Sequence, residues 1–135
     1  MKKAIISIGI ASGIILALIF LALQNGGHEI KQESEIEIKP DVIMPTKVSR
    51  PGCEEDNSCY VPHIINVNRG DSVTWANEDV AFHSVTSGFY GEPSSLFDSG
   101  YLDPQQKFSF VFEEKGTFDY FCTLHPWMAG KVVVE

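Results

Sequence analysis

The side chains best suited to chemistry lie close together near the C-terminus of this chain. Residues 122–128 place a thiol, an imidazole and a thioether within seven positions. A second imidazole, that of His83, lies 39 residues before Cys122. A thiolate, two imidazoles and a weakly bound thioether are the ligand set of a trigonal copper site that transfers electrons. The sequence therefore predicts one copper ion bound by His83, Cys122, His125 and Met128.

Each of these donors has a physical reason to be there. A cysteine thiolate donates strongly to copper, two imidazole nitrogens complete a trigonal plane, and a methionine sulfur is a soft, weak axial donor. Neither oxidation state then obtains its preferred geometry, so a one-electron change requires little rearrangement. Pro126 stiffens the loop that carries three of the donors. His83 has to reach the site from a neighbouring strand, because it is distant in sequence.

Each of these residues could have a different role when it is taken alone. Cys122 could pair with Cys53 or Cys59, a single histidine is usually solvated or hydrogen-bonded, and Met128 could fill the core. The combined spacing favours copper over no metal. A structural zinc site would need more thiolates. A binuclear copper centre would need a second cysteine in the loop. A trinuclear copper cluster would need more histidines than the four present. The sequence contains no Ser/His/Asp motif and no phosphate-binding glycine loop.

The elements that must position these donors are β-strands. Short apolar or alternating runs separated by turns follow residue 42, and no amphipathic helix follows residue 24, which predicts an all-β antiparallel sandwich. The runs are residues 64–67, 72–76, 82–86, 108–112, 117–121 and 131–134. The first two are expected to form a hairpin across the turn 68–71. Residues 87–106, rich in glycine and proline, are expected to be mainly loop with at most one short element.

The N-terminus differs from the rest of the chain. Residues 4–23 are uncharged and almost entirely apolar, and Lys2 and Lys3 precede them. Such a segment predicts a hydrophobic helix, either a retained transmembrane anchor or a signal peptide, and the poor cleavage site favours the anchor. The expected organisation is an anchor or signal over 1–23, a polar tether over 24–42 and one domain over 43–135. The domain is expected outside the cytoplasm, anchored to the cell membrane, or periplasmic or secreted after cleavage.

Charge and cysteine content agree with an exported domain. The formal net charge is −8, and eight basic and 18 acidic residues follow Lys3. Such a surface disfavours nucleic acid and suits cationic partners or serves solubility alone. Cys53 and Cys59 flank a short polar segment, and outside the cytoplasm this spacing predicts a disulfide.

Two segments carry a family resemblance. The turn and strand at residues 70–75 and the C-terminal residues 116–135 resemble the cupredoxins, the type 1 blue copper proteins, and within them the amicyanin and plastocyanin branch. The resemblance implies a Greek-key β-sandwich and the same four copper ligands. It also implies that His125 is the ligand at the solvent edge, with Pro126 and Trp127 forming an apolar patch where redox proteins dock.

The chain departs from that family pattern at three places. Ser84 stands where an asparagine usually follows the first histidine ligand, and Trp127 stands in place of a phenylalanine. Residues 53–59 form an insertion with acidic side chains, expected near the copper end of the fold. An acidic rim there would select a different redox partner from that of the relatives.

The function expected from these residues is electron transport, not catalysis. The alternatives are a copper enzyme with an open axial position that acts on a small nitrogen oxide, a copper delivery protein, and a metal-free adhesion domain. His63 is expected to be a surface histidine, although it could also lie near the copper.

Overall fold

The computed structural model describes residues 38–135, which form eight β-strands. These are β1 (Val42–Met44), β2 (Ile64–Val67), β3 (Ser72–Asn77), β4 (Thr86–Phe89), β5 (Glu92–Asp98), β6 (Lys107–Val111), β7 (Gly116–Phe121) and β8 (Ala129–Val134). The expected N-terminal helix over 1–23 and most of the expected tether lie outside the described residues. Within residues 38–135 no helix is long and apolar enough to cross a membrane.

The strands form two sheets, so the predicted all-β sandwich is confirmed. One sheet has the order β1-β3-β6 and the other the order β2-β8-β7-β4-β5. The expected antiparallel pairing holds for four of the six strand pairs within residues 38–135, whereas β1 runs parallel to β3 and β2 runs parallel to β8. Parallel neighbours need long connections, and here residues 45–71 separate β1 from β3 and residues 68–128 separate β2 from β8.

The predicted hairpin between residues 64–67 and 72–76 is also absent. β2 and β3 belong to different sheets, so the turn between them crosses the sandwich. Its backbone bonds reach other strands: Arg69 N–H donates to Glu135 O at 3.1 Å, and Gly70 N–H donates to Phe112 O at 2.8 Å. These outward bonds take the place of the cross-strand ladder that a hairpin would require.

Residues 87–106, which were expected to be mainly loop, contribute most of a β-hairpin. β4 pairs antiparallel with β5, with a bulge between Thr86 and Gly88. The sequence hid β5 because only Phe97 among its seven residues is buried, so no alternation is visible. Gly88 has φ of +102°, and a Cβ there would lie 2.5 Å from a backbone oxygen of Glu92. Glycine is therefore required at the bulge.

Aromatic side chains fill the space between the sheets. Trp75 is fully buried, and its ring centroid lies 5.4 to 6.4 Å from those of Phe97, Phe108, Phe112 and Tyr120. Phe110 joins them at 4.9 Å from Phe97. The alternation in β6 thus directs its phenylalanines into the core, as the sequence indicated.

Several long loops converge on one end of the sandwich, where β7 ends and β8 begins. β4 runs antiparallel to β7, so the loop from β3 to β4 lies at that end. β2 runs parallel to β8, so the loop over residues 45–63 arrives there as well. A bridge between His83 and Leu102 adds the loop from β5 to β6. The fold thus collects residues from distant parts of the chain at one pole.

Candidate metal centre

Three side chains with metal-binding atoms meet at this pole. The ligand atoms of His83, Cys122 and His125 all lie within 4.8 Å of one another. Cys122 Sγ is 3.9 Å from His83 Nδ1 and 3.5 Å from His125 Nδ1. His83 and Cys122 are fully buried, whereas His125 is only partly buried. One imidazole therefore lies between the sulfur and the surface.

The loop after β7 folds back on itself and returns Met128 toward Cys122. Cys122 N–H donates to Met128 O at 3.1 Å, and Met128 N–H donates to His125 O at 2.9 Å. The Met128 side chain is fully buried and belongs to the same core cluster as Cys122. A buried thioether on this loop suits a weak axial donor, and Met128 remains the predicted fourth ligand.

His83 is oriented by contacts on two sides. Its backbone pairs with Leu102, with N···O distances of 3.3 and 2.8 Å. Its Nε2 donates to Asp79 Oδ2 at 3.0 Å in a buried contact. A carboxylate that accepts from Nε2 leaves Nδ1 without a proton and free to bind a metal. Asp79 therefore sets the tautomer and the direction of this candidate ligand.

Asp79 is itself held by backbone donors. Its carboxylate accepts from the N–H groups of Lys47 at 3.0 Å, Ser49 at 3.2 Å and Val80 at 2.9 Å. Burial alone would raise the pKa of Asp79, but these bonds and the one from His83 hold that pKa well below its ordinary value. Asp79 was not among the residues expected from the sequence, because nothing in the local pattern distinguishes it from a surface loop aspartate.

The surroundings of the site favour the metal-binding form of two donors, the thiolate of Cys122 and the neutral imidazole of His125. Burial alone would raise the pKa of the Cys122 thiol, but the nearby His83 imidazole and the hydrogen bond from Ser84 N–H, at 3.3 Å from Sγ, lower it. Burial alone would lower the pKa of His83, whereas its bonds with Cys122 and Asp79 raise it. Burial and repulsion from His83 lower the pKa of His125. A thiolate beside a neutral His125 imidazole is a suitable form for metal binding.

Ser84 connects the loop that carries His83 to the loop that carries Cys122. Its Oγ accepts from Thr123 N–H at 2.8 Å and lies 3.0 Å from Thr123 Oγ1. Its own N–H is the one that donates to the Cys122 sulfur. The hydroxyl at this position therefore joins the two loops directly, where the family pattern has an asparagine.

Removing the Asp79 carboxylate is expected to damage the site and the fold together. Asp79→Ala leaves His83 Nε2 and three backbone N–H groups without their acceptor, at a cost of about 2 kcal/mol in unfolding free energy. Asp79→Asn keeps one acceptor oxygen and is expected to lose less. Urea unfolding of the metal-free proteins measures the difference. Equal stability of the alanine variant and the wild type would contradict this role for Asp79.

The surface around His125 combines predicted and unpredicted residues. Pro126 is exposed, while Trp127 is partly buried and its Nε1 donates to Val48 O at 3.0 Å. Next to the two histidines in sequence, Leu124 is 40% exposed and Phe82 is 53% exposed. The exposure of these last two side chains was not expected from the sequence, although each residue is next to a candidate ligand in the chain.

The remaining candidates lie apart from the three donors. Cys53 and Cys59 form a disulfide, and Cys122 is the free cysteine among residues 38–135. His63 is not part of the group that surrounds Cys122. Its carbonyl accepts from Lys131 N–H at 2.9 Å, beside the parallel pairing of β2 and β8.

Comparisons with known proteins identify a copper-binding family for the chain. Residues 47–135 match the family described as copper binding proteins, plastocyanin/azurin family. The chain belongs to this family. It is 42% identical over 73 residues to amicyanin from Paracoccus denitrificans, a match that covers 53% of the chain and 54% of that protein. It is 29% identical over 130 residues to plastocyanin from a Synechococcus strain, covering 89% of the chain and 92% of that protein.

Comparison with solved structures also finds a cupredoxin. The purple cupredoxin from Nitrosopumilus maritimus superposes with a TM-score of 0.65 at 32% identity, over 72% of this chain and 100% of that one. The chain spans about half the length of the amicyanin that it matches. The cofactor of the family is copper, and the thiolate and two imidazoles gathered here fit it, because soft sulfur and imidazole nitrogen are donors that copper prefers.

Proposed function

We propose that this protein carries single electrons between redox proteins through one copper ion bound by His83, Cys122, His125 and Met128. Bound copper supplies a Cu(I)/Cu(II) couple, and the protein supplies a rigid, mostly buried set of donors. The observation that carries the proposal is the burial of Cys122 between two imidazoles, of which only His125 approaches the surface. Such a site excludes water but leaves one imidazole edge for electron exchange.

The surface around that edge supports a docking role. Pro126 and Leu124 are exposed beside His125, and Trp127 is partly exposed. We propose that redox partners dock on this apolar patch. A small, flat, apolar contact favours fast dissociation, which a carrier needs between successive partners.

The N-terminal residues support a location at the membrane. The uncharged run at residues 4–23 follows two lysines and is long enough to cross a bilayer as a helix. We propose that residues 1–23 anchor the protein, that residues 24–42 tether it, and that the domain over 43–135 faces the extracytoplasmic side. A tethered carrier would meet its partners at a raised effective concentration.

The full chain, purified in detergent and supplied with one equivalent of Cu(II), tests the proposal. An electron carrier is expected to show an intense visible absorption that disappears on reduction and returns on oxidation over repeated cycles. It should also exchange electrons rapidly with small redox proteins. Copper-loaded protein that stays colourless would reject electron transport, and rapid loss of copper to a weak chelator would indicate a delivery protein.

Met128→Leu separates the carrier from an enzyme with an open axial position. Replacing the thioether by a hydrocarbon removes a donor that stabilises the more highly charged ion, so the reduction potential should rise. Met44→Leu, the same change at another fully buried methionine, is the control and should leave the potential unchanged. Azide or nitrite should not alter the spectrum of the wild type. A spectrum that responds to these anions, with a potential insensitive to Met128→Leu, would favour the enzyme.

A further inference from the structure

The loop between β1 and β2 contacts residues that hold the three donors His83, Cys122 and His125. These holding residues are called the supports of the donors. We call residues 47–60 the disulfide loop, since Cys53 and Cys59 close its central part. Its first part contacts the segment that carries His125, through the bond from Trp127 Nε1 to Val48 O at 3.0 Å. The Trp127 ring in turn packs on the His125 imidazole, with centroids 5.3 Å apart.

The disulfide lies against both partners of that hydrogen bond. Cys53 Sγ is 3.9 Å from Val48 O, the acceptor, and Cys59 Sγ is 3.9 Å from the carbonyl oxygen of Trp127. Cys59 is almost completely buried. Because the two sulfurs are joined, the acceptor and the donor residue are packed against one covalent unit. Movement of the disulfide would therefore displace both ends of the contact.

The same loop also reaches the supports of the other two donors. At its start, the N–H groups of Lys47 and Ser49 donate to the Asp79 carboxylate, which orients His83. At its end, Tyr60 Oη donates to Ser84 O at 2.6 Å in a buried contact. Ser84 donates from its N–H to the Cys122 sulfur. The disulfide loop thus contacts a residue that holds each of the three donors His83, Cys122 and His125.

From these contacts we propose that the disulfide loop is an outer frame for the metal centre, in which the Cys53–Cys59 bond and Trp127 are positioning residues for His125. This proposal rests on copper binding by His83, Cys122 and His125. It assigns the insertion a role inside the site, in addition to any role of its exposed acidic side chains toward partners. A frame of this kind keeps the exposed imidazole in one orientation in both oxidation states, which limits rearrangement during electron transfer.

Two variants remove different parts of the frame. Trp127→Phe keeps an aromatic ring beside His125 but loses the hydrogen bond to Val48 O. Cys53→Ser with Cys59→Ser opens the disulfide and leaves Trp127 in place. Each is expected to change the parallel copper hyperfine coupling in the electron spin resonance spectrum. Each is also expected to speed release of copper to a chelator roughly fivefold, the ratio that corresponds to one neutral hydrogen bond.

The combination of the two variants tests whether they act through one contact. If the disulfide works by holding the Trp127–Val48 bond, the triple variant should release copper little faster than either parent, so the effects are not additive. Two controls exclude general effects. Glu55→Gln changes an exposed side chain of the same loop and should alter nothing. Val73→Ala removes buried volume in β3 and should lower the unfolding midpoint without changing the spectrum.

A measurement on the metal-free protein separates this proposal from the proposed function. In nuclear magnetic resonance spectra, opening the disulfide should shift or broaden the amide signals of residues 122–128 more than those of β6. If the wild type binds no copper, the proposed function fails, while this comparison still shows whether the loops are coupled. The frame is rejected if opening the disulfide only lowers the unfolding midpoint, as Val73→Ala does, and leaves the ligand-loop signals and the copper spectrum unchanged.

Discussion

Cys122→Ser is expected to abolish the intense visible absorption of the copper-loaded protein completely. That absorption requires a thiolate that donates charge to copper, and a serine hydroxyl is neither deprotonated nor soft at neutral pH. Removal of a residue that hydrogen-bonds to a metal ligand typically lowers the affinity for the metal 10- to 100-fold. Loss of the ligand itself should therefore weaken copper binding by more than roughly 100-fold. The measurement is a copper titration followed by absorption and spin resonance.

The fold is expected to tolerate this change, which makes the result interpretable. A serine oxygen keeps an acceptor for the Ser84 N–H, which in the native chain donates to the sulfur. Metal-free Cys122→Ser should therefore unfold within about 1 kcal/mol of the wild type. Cys53→Ser with Cys59→Ser removes the two disulfide sulfurs instead and should retain the absorption, although shifted. An intense band in Cys122→Ser would place the metal on other donors.

Three of the four predicted donors meet in the structure, and the set could be proposed from the sequence because most of it is local. Cys122, His125 and Met128 belong to one loop, and a thiol, an imidazole and a thioether at these spacings rarely serve any other purpose together. His83 was assigned because it lies in an apolar strand upstream of the loop, and the family resemblance implied the same residue. The alternation of β6 likewise revealed the inward face that carries Phe108, Phe110 and Phe112.

The supports of the donors were not predictable, because they depend on contacts between distant loops. Asp79 is an ordinary loop aspartate until the fold places it against His83 and gives it three backbone donors. Trp127 was expected to serve the docking surface, yet its indole N–H points inward to Val48 O. Residues that act through such long-range contacts leave no periodic or local signal in a single sequence.

The errors about strands have a related cause. Periodicity reports which face of a strand is buried, but not which strand lies beside it. β2 and β3 both show strand signals and are separated by a turn, yet they belong to different sheets. β5 shows no alternation because Phe97 alone among its residues is buried. Only pairing with β4 makes it a strand.

Trp75→Ala is expected to be the most destabilising single substitution considered for this domain. Trp75 is fully buried, and four other aromatic rings lie around it. Truncation of a buried tryptophan to alanine lowers the free energy of unfolding by about 3–5 kcal/mol, because apolar surface is no longer buried and a cavity remains. Small domains have only about 5–15 kcal/mol of unfolding free energy. A large part of the domain's stability therefore depends on this one ring.

Two comparisons make this result specific to the aromatic core. Trp75→Phe keeps a ring and removes an indole N–H that has no hydrogen-bond partner among the described residues, so it should cost less than half as much. Tyr101→Ala removes an aromatic ring that is 66% exposed, so it should change the free energy of unfolding by less than about 0.5 kcal/mol. Urea unfolding of the metal-free proteins, with the slope m unchanged, measures all three. If alanine and phenylalanine at position 75 prove equally costly, the loss would come from the part of the indole that a phenyl ring cannot fill, and ring packing in general would not be the main source of the domain's stability.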